Sequence, residues 1–512
     1  MAFKDKINRS YTFSGEFIEA GAAVRDGITH ADCPIRIPLK TMNRHGLIAG
    51  ATGTGKTKSL QLIAEGLSQA GVPVLLMDIK GDVSGLAHPG TMNPTIKQRT
   101  GVIGFDWEGR GFPVELMSIS EGPGVVLRAT LSEFGPVLLG KLLDLNENQS
   151  SILSLIFKYC DDKGLPLLDI KDLTSVLNHI QTEGKTEFTN AYGYFQSSST
   201  GTILRQMIAL EQQGADRFFG EPSFEVNDLL RQDRNGYGFI NILRLTDIQT
   251  KPALFSTFML CLLAEIFQKF PEQGDAQKPE LVIFIDEAHL VFRNATKTLI
   301  EQLDMTIKLI RSKGVGIFFV TQVPDDIPEN ILSQLGLKVQ HALRAFTAND
   351  RKSIKAASEN YPVSEFYNTD ELITQLGIGE ALVTALNEKG VPTELAHCMM
   401  RPPKSRMDIL TPAEIEVIID ASDLAKEYNR SVDRESAYEM LHRRINRPAY
   451  QEAIEEHSQD TTPVSTGRRE QEGPSMFEQV MKSPVAKILV REAARGLMGV
   501  LGLKSTTRRR RY

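Results

Sequence analysis

Between His45 and Leu60 the chain reads HGLIAGATGTGKTKSL, the stretch that most narrows what it can fold into. Gly50, Gly55, Lys56 and Thr57 satisfy G-x-x-x-x-G-K-[ST], the spacing of a phosphate-binding P-loop. The apolar Leu47-Ile48-Ala49 before it reads as a short buried strand, and Ser59 to Ala64 after it has helical apolar spacing. The context is therefore strand, Gly-rich turn, helix. Gly50, Gly53 and Gly55 let successive N–H groups turn inward at an anion, and the new helix aims its positive end at the same place. The loop residues Gly50, Ala51, Thr52, Gly53, Thr54, Gly55, Lys56, Thr57 and Lys58 are the expected nucleotide-binding set. Within it Lys56 reaches the β- and γ-phosphates and the Thr57 hydroxyl ligates Mg²⁺.

A second motif supports the first. Leu281 to Ile285 is a continuous apolar run ending in Asp286-Glu287. A carboxylate at such a strand end holds the metal shell, which is the role expected of Asp286. The Glu287 carboxylate after it suits a general base for the attacking water. The next apolar run, Gly316 to Val320, ends in Thr321-Gln322, and Gln322 is expected to sense the γ-phosphate or orient the water. Arg311 ends the intervening helix and is a candidate arginine finger for a neighbouring subunit, with Arg205 and Arg344 as rivals. An ordinary cation at a helix C-terminus is the plain alternative for Arg311.

At 512 residues the chain exceeds one ordinary core. Its 41% hydrophobic and 24% charged content is that of a soluble globular protein. The net charge of −6 gives no overall basic footprint, so nucleic-acid contact would have to come from local patches. Four scattered cysteines without metal spacing, no signal core and no long uncharged apolar run lead us to expect a cytoplasmic protein with no integral membrane segment.

In chain order we expect a short N-terminal β segment over 1–44 and the first part of an α/β core over 45–121. An all-helical insertion follows over 122–220, with helices at Val125 to Leu145, Gln149 to Tyr159, Ile170 to Ile180 and Ser199 to Gln213. The core resumes over 221–403 with a mainly parallel sheet and a hairpin turning at Asn387 to Gly390. A charged helical extension (404–457), a flexible linker (458–475) and a basic amphipathic tail (476–512) complete the chain. Residues 468–512 hold eleven Lys or Arg against four Glu, which marks the tail as an interaction segment.

The motifs GATGTGKT, MDIKGD, FIDEAH and GIFFVTQVP together resemble the HerA/FtsK superfamily of hexameric P-loop ATPases, most nearly bacterial HerA-like proteins, over roughly Arg36 to Pro403. The resemblance implies a RecA-like α/β core and a homo-oligomeric, hexameric ring with ATP sites between subunits. It also implies a motor that translocates DNA or protein, with double-stranded DNA and a nuclease or other effector protein as the candidate partners. It agrees with the roles given to Lys56, Thr57, Asp286, Glu287 and Gln322. The segment before the P-loop is shorter than the N-terminal β-barrel of HerA proper, which bears on nuclease docking. Two other functions compete: a ring ATPase that moves protein, and a regulatory NTPase without translocation.

Overall fold

The computed structural model describes residues 2–443, apart from 248, 249, 275, 294–296, 346, 431 and 433. The linker and the basic tail expected from the sequence lie outside the described residues. Among the described residues, twelve strands form one sheet. They are β1 (Phe17–Arg25), β2 (Ile28–Pro38), β3 (Gly46–Ala49), β4 (Val74–Asp78), β5 (Val114–Ser118) and β6 (Val125–Val126). After the helical segment come β7 (Ile240–Arg244), β8 (Leu281–Ile285), β9 (Val315–Thr321), β10 (Leu337–Gln340), β11 (Glu380–Thr384) and β12 (Ala396–Met400). The spatial order is β2-β1-β12-β11-β10-β3-β9-β8-β4-β7-β5-β6. From β10 to β6 all pairings are parallel, and from β10 to β2 all are antiparallel.

The central strands are apolar on both sides because both faces of the sheet are covered. Leu75 and Met77 of β4 enter one core with Ile283 of β8 and Leu139, Leu153, Leu173 and Leu177 of the helical segment. Val74 and Leu76 enter the other with Phe284 and with Leu60, Ile63 and Leu67 of the helix Lys56–Gln69. The helical segment therefore completes the cover of the sheet and shares its core. The N-terminal strands likewise extend the sheet: β1 pairs with β12, so residues distant in sequence close one edge.

Two local readings change. The stretch Val125 to Leu145 is not one helix. Val125–Val126 pairs with β5, and the helix Leu131–Leu142 starts at a Thr130–Glu133 capping box. That helix is broken at Gly135 (φ 74°), because Pro136 bars the helical conformation from the residue before it. Within the first part of the core, the helix Pro94–Ile103 is capped by Asn93 and ended by Gly104 in the left-handed conformation. A further helix, Lys185–Tyr192, buries Phe188 alone and so carries no periodic signal. Helix Pro252–Lys269 has the length and composition of a membrane span, yet Leu254, Phe258, Leu262 and Ile266 sit in the core.

Candidate nucleotide and metal site

The P-loop leaves β3 between two neighbours that fix it. Gly50 N–H donates to Thr321 O at the end of β9 (3.3 Å), and Ala51 N–H to Ala342 O just past β10 (2.8 Å). Gly50 has φ 152°, and a Cβ there would lie 2.5 Å from His341 Cβ, so only glycine fits. Lys56 is buried, and its ammonium donates to the carbonyls of Gly50 (2.6 Å) and Ala51 (3.2 Å), curled into its own loop. Burial lowers its pKa, and neighbouring Lys80 adds to the effect. Thr54 closes the turn onto Ala51 O (2.7 Å), while Thr52 and Gly53 are exposed at its tip. The Lys58 ammonium faces the other way, onto Met407 O (2.5 Å), so the loop receives the backbone of Lys58 and not its charge.

Opposite the loop, the ends of β4 and β8 bring three carboxylates together. Asp78, Asp82 and Asp286 offer oxygens within 4.8 Å of one another. Burial pushes the Asp286 carboxyl up to about 7 and the Asp78 carboxyl up to about 6. Asp78 accepts from Gly81 N–H (2.7 Å), and this fixes the turn that carries Asp82. Asp82 accepts from the Thr57 hydroxyl (3.3 Å) through one oxygen, while its other, buried oxygen has no hydrogen-bond partner. Oxygen-only donors, clustered charge and an orphaned carboxylate oxygen fit a hard divalent cation such as Mg²⁺. Sequence reasoning assigned Asp286 and Thr57 to the metal and missed Asp78 and Asp82. The M-D-I-K-G-D string was their signal, a second apolar strand ending in acids.

Glu287 is buried with φ 46°, pairs with the Lys80 ammonium and lies 3.1 Å from His289 Nδ1. The strand order sets Gln322 between the two halves: β9 lies between β3 and β8, and Gln322 is the exposed residue that follows it. Arg311 is elsewhere. It precedes β9, and its carbonyl accepts from Asn43, which precedes β3. The seven residues of β9 separate it from the P-loop end by about 20 Å at ~3.3 Å per residue, so it cannot reach the P-loop of its own subunit. Arg344 lies on the P-loop side, donating to Thr374 O (2.9 Å), and Arg205 is exposed on the helix Ser197–Glu211. Beside Gly55 a cavity of about 150 Å³ is lined by Ile96, Arg99, Ile378, Met400, Pro402 and Met407, largely apolar in character.

The model of the family described as "Helicase HerA-like C-terminal" matches residues 24–509. A DNA double-strand break repair helicase HerA of Saccharolobus solfataricus is 23% identical over 357 residues, 68% of this chain and 63% of that protein. A protein of the same description from Sulfurisphaera tokodaii is 24% identical over 367 residues, 69% of this chain and 64% of that one. The chain thus spans less than two thirds of the length of these relatives. A probable helicase of Methanocaldococcus jannaschii is 34% identical over 154 residues, 28% of each chain. The solved structure of the bacterial conjugative coupling protein TrwB, in its unbound monoclinic form, matches with a TM-score of 0.51 at 15% identity. It covers 80% of this chain and 95% of that one, a likeness of fold: the sheet and its helices are a RecA-like P-loop α/β core.

Proposed function

The chain belongs to the helicase HerA-like C-terminal family, and from that premise we propose that it is a cytoplasmic, Mg²⁺-dependent ATPase that moves double-stranded DNA. Its sites are those of a homo-oligomeric, hexameric ring, with ATP held between subunits. One observation carries the reading: the cluster Asp78, Asp82 and Asp286, with its orphaned oxygen, stands beside the Thr57 hydroxyl of the P-loop. The break-repair helicases among its relatives favour DNA as the polymer.

The roles follow from the groups present. The loop N–H groups from Gly50 to Lys58 cradle phosphate, and the Lys56 ammonium exchanges its two carbonyls for phosphate oxygens. Thr57 and Asp286, with Asp78 and Asp82, hold the cation. Bound Mg²⁺ supplies charge neutralisation at the phosphates. Glu287 accepts the proton of the attacking water, and Gln322 orients that water. Arg311 serves a neighbouring subunit's site. The apolar cavity beside Gly55 receives the nucleoside base. The division into a core (45–121 and 221–403), a helical insertion (122–220) and C-terminal extensions is part of the same proposal, as is an effector such as a nuclease as partner.

The test is phosphate release with and without double-stranded DNA across a salt series. DNA should raise the rate, and high salt should abolish the increase, because phosphate contacts release counterions. A rate indifferent to DNA would overturn the choice of polymer and direct the search to protein substrates.

A further inference from the structure

Lys80 lies in the site, yet neither the P-loop nor the Asp286-Glu287 strand end assigns it a role. It follows β4 in the turn Asp78-Ile79-Lys80-Gly81-Asp82, and its ammonium pairs with Glu287 across to the end of β8. Glu287 is 6% exposed at its side chain, whereas Lys80 is 37% exposed. The base is thus enclosed and its partner is free to move. The Glu287 backbone, at φ 46°, adopts a left-handed conformation that L residues seldom take. A carboxylate held in a close ion pair by Lys80 is poorly placed to take a proton from water.

We propose that Lys80 is a positioning residue that holds Glu287 paired while the site lacks a γ-phosphate, and transfers to the γ-phosphate when ATP binds. This rests on the ATPase reading above. The physical driver is charge. A triphosphate terminus offers the ammonium more negative charge than one carboxylate does, and the exposed stem of Lys80 allows the move. Glu287 is then released at the moment its target arrives, so futile activation of water on an empty or ADP-filled site is suppressed.

The experiment is a double-mutant cycle on nucleotide binding in Mg²⁺, with a non-hydrolysable ATP analogue and ADP as the two probes. Lys80→Met should weaken the analogue about tenfold, the scale of one charge-assisted contact, and leave ADP within about twofold. Glu287→Gln should tighten the analogue several-fold in the parent, because Lys80 no longer has a pair to break. In the Lys80→Met background the same change should gain nothing. Equal effects of Lys80→Met on both nucleotides, or an undiminished Glu287→Gln gain in its background, would overturn the proposal. If Lys80→Met does not fold, Lys80→Arg takes its place. It should keep the preference for the analogue and the Glu287→Gln gain, and loss of both would refute the latch. A parent that binds neither nucleotide would instead refute the ATPase reading itself.

Discussion

Arg401 tests whether the C-terminal end of the sheet is fastened to the P-loop helix by a buried charge. It stands just past β12, 7% exposed. Its Nε donates to Glu19 O (2.7 Å) next to β1's buried face, and Nη2 to Leu62 O (3.4 Å) on the P-loop helix. Nη1 lies 3.6 Å from the Glu65 carboxylate, which is 1% exposed. In Arg401→Met the shape is roughly kept and Glu65 is stranded. Stranding one partner of a buried pair costs about 3–5 kcal/mol. Glu65 keeps three donors, Lys404 N–H (2.9 Å), Ser405 N–H (2.9 Å) and the Ser405 hydroxyl (2.6 Å), which sets the loss near the lower end. With ~2.1 cal/mol/K of unfolding entropy per residue over roughly 440 residues, ~3 kcal/mol lowers Tm by about 3 °C. Calorimetry at one fixed scan rate measures this. Adding Glu65→Gln removes the stranded charge and should recover much of the loss. A double variant as unstable as Arg401→Met alone would refute the stranded-charge argument.

Other outcomes follow from the same structure. His45, between Ile307 O (2.8 Å) and Ile317 N–H (3.0 Å), and His341, between Ser59 and Glu380 O, are buried and neutral, each pushed down to about 4 chiefly by burial. A folded pKa below the ordinary 6.5 means that the stability they carry is complete above about pH 6.5 and is lost as pH falls toward 4, at ~1.4 kcal/mol per unit for each. Denaturation against pH should show the decline, and His45→Gln should flatten it. Arg311→Ala should bind ATP and lose turnover, and mixing it with Glu287→Gln subunits should restore activity if the arginine acts in trans. A strictly monomeric species by light scattering in ATP would end the ring proposal. Deleting 476–512 should weaken oligomerisation or DNA stimulation and spare nucleotide binding; a truncated chain that matches the parent in both would remove the tail from the account.

What was legible in the sequence was local chemistry with a fixed spacing. The P-loop, the Asp286-Glu287 strand end and the Thr321-Gln322 strand end each announce themselves within a few residues, and the central parallel strands do so by unbroken apolar runs. What was not legible depends on strand order. Nothing near Asp78 or Asp82 says that β4 lies beside β8, yet that adjacency makes the carboxylate cluster and places Lys80 on Glu287. The pairing of β1 with β12 joins Gly21 to Met400, beyond the reach of any periodicity. Arg311 ends its helix as the sequence suggests, but only the direction of β9 reveals that it lies at the opposite end of that strand from its own P-loop. The break at Gly135 was readable from Pro136 and was masked by an apolar spacing that continued across it.

The central claim is hydrolysis of ATP at the P-loop and carboxylate cluster, and the direct measurement is phosphate release by the purified chain with Mg²⁺ or with a chelator, in parent, Lys56→Ala and Glu287→Gln. The account predicts release only with Mg²⁺, loss of nucleotide binding in Lys56→Ala, and retained binding with hydrolysis slowed by a factor on the order of 10² or more in Glu287→Gln. Release at the parent rate from Glu287→Gln, or undiminished release in chelator, would contradict it.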